Sequence, residues 1–130
     1  MADYPKDLKY TKEHEWARPQ GAAVQVGITF HAQEALGDVV YVELPKVGDT
    51  VTAGQRFGTV ESTKAASDLY APITGKVTKV NDALSDAPQH LNTDPYGQGW
   101  LIEVTPSDAG QVGGLMDASA YEAFLASGGK

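Results

Sequence analysis

Cysteine is absent from the 130 residues, which removes disulfides, thiolate metal sites and cysteine nucleophiles and leaves any redox chemistry to a bound group. Among the remaining side chains, the most pointed arrangement is Gly58-Thr59-Val60-Glu61-Ser62-Thr63-Lys64-Ala65-Ala66-Ser67-Asp68-Leu69-Tyr70-Ala71-Pro72-Ile73-Thr74-Gly75, where a single lysine stands among small residues. Small neighbours leave its amine open to a modifying enzyme, and a tight turn between paired strands would both aim and expose it. Taken alone, a lysine in a turn is more often an ordinary solvated charge. The histidines are weaker candidates. His14-Glu15 lacks a second histidine at helical spacing, so it is no zinc-protease motif, and His31 falls on a short amphipathic segment where packing suits it better than proton transfer. Nothing spaces the Asp and His residues as a catalytic set, so a small hydrolase finds no support.

The elements that would position this lysine read as strands. Fourteen glycines and seven prolines break the chain into short apolar runs rich in Val, Ile, Thr and Tyr. Residues 22–28 put Val24, Val26 and Ile28 on one face, and residues 39–44 read as a more fully buried strand. Further strands are predicted at 56–61, 69–71, 75–80 and 100–104, a regular spacing that points to a β-sandwich or barrel and away from βαβ units. Two helices interrupt the pattern. Thr29 can cap a helix over 30–36 that Gly37 ends in a left-handed conformation. Near the C-terminus Ser119 and Glu122 resemble a capping box, with Leu115, Ala118, Tyr121 and Leu125 at helical spacing, Gly128-Gly129 as the stop, and the helix packed outside the sheets over an edge or groove. Residues 47–54 and 72–77 each pair a glycine turn with β-branched residues, an echo that suggests two related sheets meeting at a hairpin with Lys64 at its tip.

Length and composition set the outer bounds. With 42% hydrophobic and 21% charged residues, the chain suits one globular domain over 1–130. A formal net charge of −7 argues against nucleic acid or an anionic membrane as partner. The opening Met1-Ala2-Asp3-Tyr4-Pro5-Lys6-Asp7 has neither the apolar run of a signal peptide nor the Arg-rich character of a transit peptide, so a bacterial cytoplasmic protein is expected, or a mitochondrial matrix one whose leader has been removed.

Four ordered blocks give the chain a resemblance to the H-protein family of lipoyl carriers in glycine cleavage. Tyr10-Thr11-Lys12-Glu13-His14-Glu15-Trp16 resembles the family's opening signature; Val26-Gly27-Ile28-Thr29 and the run from Leu36 to Pro45 resemble its next block. Glu61-Ser62-Thr63-Lys64-Ala65-Ala66-Ser67-Asp68 resembles the lipoylation site, and Asp94-Pro95-Tyr96-Gly97 with Gly99-Trp100-Leu101 and Leu115-Met116 completes the order. There are departures: Thr63 stands where the family commonly has valine, and 87–92 differs from the usual approach to Asp94-Pro95-Tyr96. Biotin carriers flank their lysine with methionines, where this chain has Thr63 and Ala65, and a lipoyl domain of a 2-oxo acid dehydrogenase would leave the N-terminal signature and terminal helix unexplained.

The resemblance implies a mainly β fold, a barrel-sandwich hybrid of the lipoyl/biotinyl hammerhead type with one helix in the N-terminal half and one at the C-terminus. It implies a carrier, not an enzyme, with lipoate covalently bound to Lys64 and read by lipoate-attaching enzymes through Glu61 and Ser62. The implied partners are glycine decarboxylase (P protein), aminomethyltransferase (T protein) and dihydrolipoyl dehydrogenase (L protein), visited by a monomer that carries an aminomethyl group and reducing equivalents. A neutral aminomethyl amine can expel the thiolate, so carboxylates that keep it protonated have a purpose, and the resemblance assigns that role to Glu15 and Asp68. For these two, membership of a surface strand pair and hairpin capping remain the structural alternatives. Trp16 and Trp100 are read as core or groove-wall residues. An H-like protein that only relays octanoyl or lipoyl groups to other acceptors is the alternative function.

Overall fold

Alternating Val24, Val26 and Ile28 bury one face of a strand whose other positions are small or polar, and this pattern organises the larger of two sheets. In the computed structural model, which describes residues 4–108 and 110–127, the elements in order are β1 (Lys9–Tyr10), β2 (Glu15–Gln20), β3 (Ala23–Ile28), α1 (Phe30–Leu36), β4 (Val39–Glu43), β5 (Thr50–Val51), β6 (Arg56–Ser62), β7 (Ala66–Tyr70), β8 (Gly75–Val80), α2 (Ala83–Asp86), α3 (His90–Thr93), β9 (Ile102–Pro106), α4 (Gly110–Gly113) and α5 (Ala118–Ala126). One sheet runs β1-β2-β3-β9-β8-β5 and the other β4-β6-β7, with every pairing antiparallel. The fold is therefore mainly β, two antiparallel sheets joined by short helices. Among the described residues no helix is long and apolar enough to cross a membrane.

A shared core holds the sheets together. Val26, Ile28, Val77, Ile102 and Val104 from the large sheet meet Val42, Val60 and Leu69 from the small one, all buried, and each aliphatic side chain removed from water contributes roughly 1.5–3 kcal/mol. A second cluster of Leu8, Tyr10, Trp16, Ala118 and Tyr121 fixes α5 over the β1–β2 edge, where Tyr10 and Tyr121 stack at 4.8 Å between ring centroids. The expected external packing of the terminal helix is thus observed. Trp16 lies across its strand partner Gly27, where a Cβ would come within 2.4 Å of the indole, so only glycine permits that pairing.

Several expectations change in detail. Residues 39–44 are not a fully buried strand: β4 is an edge strand, a bulge falls between Val39 and Tyr41, and Val40 and Tyr41 are each 52% exposed. Asp117, not Ser119, caps α5, its carboxylate accepting from the Ala120 N–H at 2.8 Å; Ser119 lies inside the helix and Leu115 before it. The Gly128-Gly129 stop lies outside the described residues. Residues 47–54 and 72–77 do not head separate sheets. They pair with each other through β5 and β8, and Gly54 N–H to Ala71 O (2.8 Å) with Ala71 N–H to Gln55 O (2.9 Å) clamps the base of the β6–β7 hairpin.

Candidate functional site

The β6–β7 ladder holds Glu61 opposite Ala66 and Val60 opposite Ser67, leaving Thr63, Lys64 and Ala65 to turn the chain. Ser62 closes that turn from within. Its N–H donates to Ala65 O at 2.7 Å, while its Oγ accepts from the N–H groups of Lys64 (3.3 Å) and Ala65 (3.1 Å). A serine bonding its own backbone in this way stabilises a turn that the ladder cannot reach. Outside the turn, the Thr63 N–H donates to Asp38 O at 3.1 Å. Lys64 is exposed at the tip, its stem passing over Gly37, where a Cβ would meet Lys64 Cε at 3.1 Å. Gly37 has φ 82°, the positive φ expected after α1, and both features favour glycine there. Thr29 caps α1 as expected, accepting from the Ala32 N–H.

Beside the hairpin lies a cleft of about 420 Å³ between β7, α1 and the loop that enters β2. Glu15, Asp68, His14 and His31 all line it, among Ala32, Ala65 and other small or apolar side chains. The two carboxylates singled out from sequence therefore face one space. Their environments differ. Glu15 is 2% exposed, its Oε1 accepting from the Thr11 hydroxyl at 2.8 Å and its Oε2 from the Tyr70 N–H at 3.2 Å. Burial pushes its carboxyl up to about 8, and the bonds from Thr11 and Tyr70 only partly oppose that shift. Glu15 does belong to a strand pair, but a buried one. Asp68 is exposed and accepts from Arg56 Nε at 3.2 Å; Arg56 also reaches Glu43 Oε1 at 3.6 Å.

His14 and His31 meet where no spacing predicted it, with ring centroids 4.4 Å apart. His14 takes φ 70°, unusual for a residue with a Cβ, and its Nδ1 lies 2.7 Å from the Tyr121 hydroxyl, which in turn is 2.9 Å from Thr29 Oγ1. One hydroxyl on α5 thereby joins the loop before β2 to the N-cap of α1. Trp16 is fully buried with its Nε1–H donating to Pro95 O at 3.0 Å, and Trp100 packs partly buried against the same cluster. Glu61 is exposed near the turn. Sequence reasoning passed over Asn92, whose amide bonds Val39 N, Gly37 O and Gln33 Oε1; an asparagine in a polar stretch carries no mark of such a role. Among the described residues no group of His, Asp and Glu is arranged to hold a metal ion.

A solvent-facing lysine on a rigid turn, next to a cleft large enough for a short acyl chain and lined by both apolar and carboxyl groups, fits a covalently tethered cofactor. Comparison with known proteins points the same way. The family model described as Glycine cleavage H-protein matches residues 8–128. The chain is 70% identical to the glycine cleavage system H protein of Myxococcus xanthus over 96% of this chain and 98% of that one, and 56% identical to that of Cronobacter sakazakii over 96% and 98%. Among solved structures, the crystal structure of a glycine cleavage system H protein from Mycobacterium marinum superposes with a TM-score of 0.86 at 49% identity, covering 95% of this chain and 99% of that one.

Proposed function

Because the chain belongs to the glycine cleavage H-protein family, and so is a lipoyl carrier of the glycine cleavage system and not a catalyst, we propose that Lys64 is its attachment residue and that Glu15 and Asp68 serve the cleft beside it. The observation that carries this reading is the Lys64 amine standing exposed on a turn closed by Ser62. When bound, the lipoyl group supplies a dithiolane that takes up a one-carbon amine unit and reducing equivalents from glycine.

The chain's own residues then bind, orient and exclude water. The hairpin holds Lys64 Nζ at a defined place, and amide formation removes its cation from the turn. Ala32, Ala65 and Leu36 give the cleft apolar walls that keep water from a stowed arm. Glu15 keeps its proton near neutrality while the cleft is empty, since burial disfavours the carboxylate. An ammonium brought close reverses that preference, so Glu15 becomes the counter-charge only when one is needed. Asp68, held by Arg56, supplies a standing negative charge at the rim. Glu61 and Ser62 are the positions a lipoate-attaching enzyme would read, Ser62 through the shape it gives the turn.

The docking partners this reading implies are glycine decarboxylase, aminomethyltransferase and dihydrolipoyl dehydrogenase. Tethering raises the arm's effective concentration at each docked site, so weak docking suffices. The bacterial relatives support a bacterial protein, for which the cytoplasm is the setting proposed. Reconstitution with the three partner enzymes tests the proposal. Modified wild-type protein should support glycine-dependent NAD⁺ reduction and Lys64→Arg should reduce it to background; activity retained by Lys64→Arg would overturn the assignment.

A further inference from the structure

We infer that Asn92 is a positioning residue for the Lys64 turn: its side-chain amide holds the backbone ledge on which the turn rests, so that an acylating enzyme meets the amine in one place. The inference rests on the reading of Lys64 as the attachment residue.

The ledge needs outside support because β4 is the edge strand of its sheet, so backbone groups there that face away from β6 have no ladder partner, and Gly37 lies in the loop before it. Val39 pairs with Ser62 and Tyr41 with Glu61, which leaves Val40 as the extra residue and disturbs the ladder beside the hairpin tip. Backbone groups without a ladder partner must find others. Here the Val39 N–H donates to Asn92 Oδ1 at 2.8 Å, and Gly37 O accepts from Asn92 Nδ2 at 2.7 Å. The same Nδ2 reaches Gln33 Oε1 at 3.1 Å, and Gln33 is buried in α1, which sets the orientation of the amide. Asn92 therefore grips the residues on either side of Asp38.

Asp38 is the residue that matters next. Its carbonyl accepts the Thr63 N–H, a bond from the turn to another element, and Gly37 lies under the Lys64 stem. Ser62 makes the turn rigid within itself, so what remains to be fixed is how the turn sits on the body of the protein. That placement runs from Asn92 through Gly37 and Val39 to Asp38, and from Asp38 to Thr63 and Lys64. Acylation by a lipoyl adenylate forms a C–N bond from Nζ to the acyl carbon, breaks the acyl–phosphate bond, releases the nucleotide monophosphate and returns the ammonium's two surplus protons to solvent. Such a step is sensitive to small misplacement of the amine, whereas docking of the surrounding surface is not.

Purified lipoate ligase with lipoate and ATP, read by mass spectrometry of the Lys64 peptide, tests the inference on the full chain. Asn92→Ala should lower kcat for acylation about fivefold to tenfold with KM changed less than about twofold, and should speed hydrogen exchange at the Thr63 amide. Ile102→Val, a truncation in the core of the other sheet, should lower the melting temperature yet keep kcat and Thr63 protection. Unchanged acylation or unchanged Thr63 exchange in Asn92→Ala, or an equal loss in Ile102→Val, would overturn the inference while leaving the attachment reading intact. Wild-type protein that never gains an acyl group on Lys64 would overturn both.

Discussion

A carboxyl group as enclosed as Glu15 gives the protein a pH response of its own. Its folded-state pKa lies at about 8, well above the ordinary glutamate value. Between those values the folded chain keeps a proton that the unfolded chain has lost, so this contribution is fully present below the unfolded pKa and is lost as pH rises through the folded one. Stability should fall with rising pH from about 5 to about 8, with a slope approaching 1.4 kcal/mol per pH unit. Denaturant melts at several pH values, taken as the difference between wild type and Glu15→Gln, isolate the effect; a difference that does not vary with pH would contradict it. The sequence marks Glu15 only through its place in Glu13-His14-Glu15-Trp16. Burial is a tertiary fact, made when Tyr70 on the opposite sheet donates its N–H to the carboxylate.

At the scale of elements, local chemistry was legible wherever a single residue type settles a boundary. Thr29 and Gly37 delimit α1 as their capping and positive-φ preferences require. The error at α5 has the same logic, since Asp117 and Ser119 are both good caps and only the observed bond to Ala120 N–H separates them. Asp117→Ala should therefore cost about 1 kcal/mol, while Ser119→Ala, inside the helix, should be neutral or stabilise by a few tenths of a kcal/mol. Shifts in denaturant midpoint at unchanged m-value measure both, and the reverse ranking would restore Ser119 as the cap. Strand β2 was less visible because Glu15-Trp16-Ala17-Arg18-Pro19-Gln20 lacks β-branched residues; its order comes from pairing with both β1 and β3. The bulge in β4 left no sequence mark, so two consecutive exposed residues, Val40 and Tyr41, stood where the continuous apolar run predicted burial.

Across the whole molecule, the mainly β architecture and the lysine hairpin followed from glycine punctuation and β-branched runs, whereas the cleft did not. It forms because β7, α1 and the β1–β2 loop converge, and the His14–His31 contact and the Tyr121 hydroxyl between His14 and Thr29 are products of that convergence. Two sheets sharing one apolar core hold the hairpin's base still while its tip stays in solvent, which is what a tethered carrier asks of its scaffold. Expression in a lipoylation-competent host followed by peptide-resolved mass analysis tests that claim most directly. A single lipoyl increment on the peptide containing Lys64, and none on Lys64→Arg, is the predicted result; an increment on another lysine, or an unmodified Lys64, would contradict it.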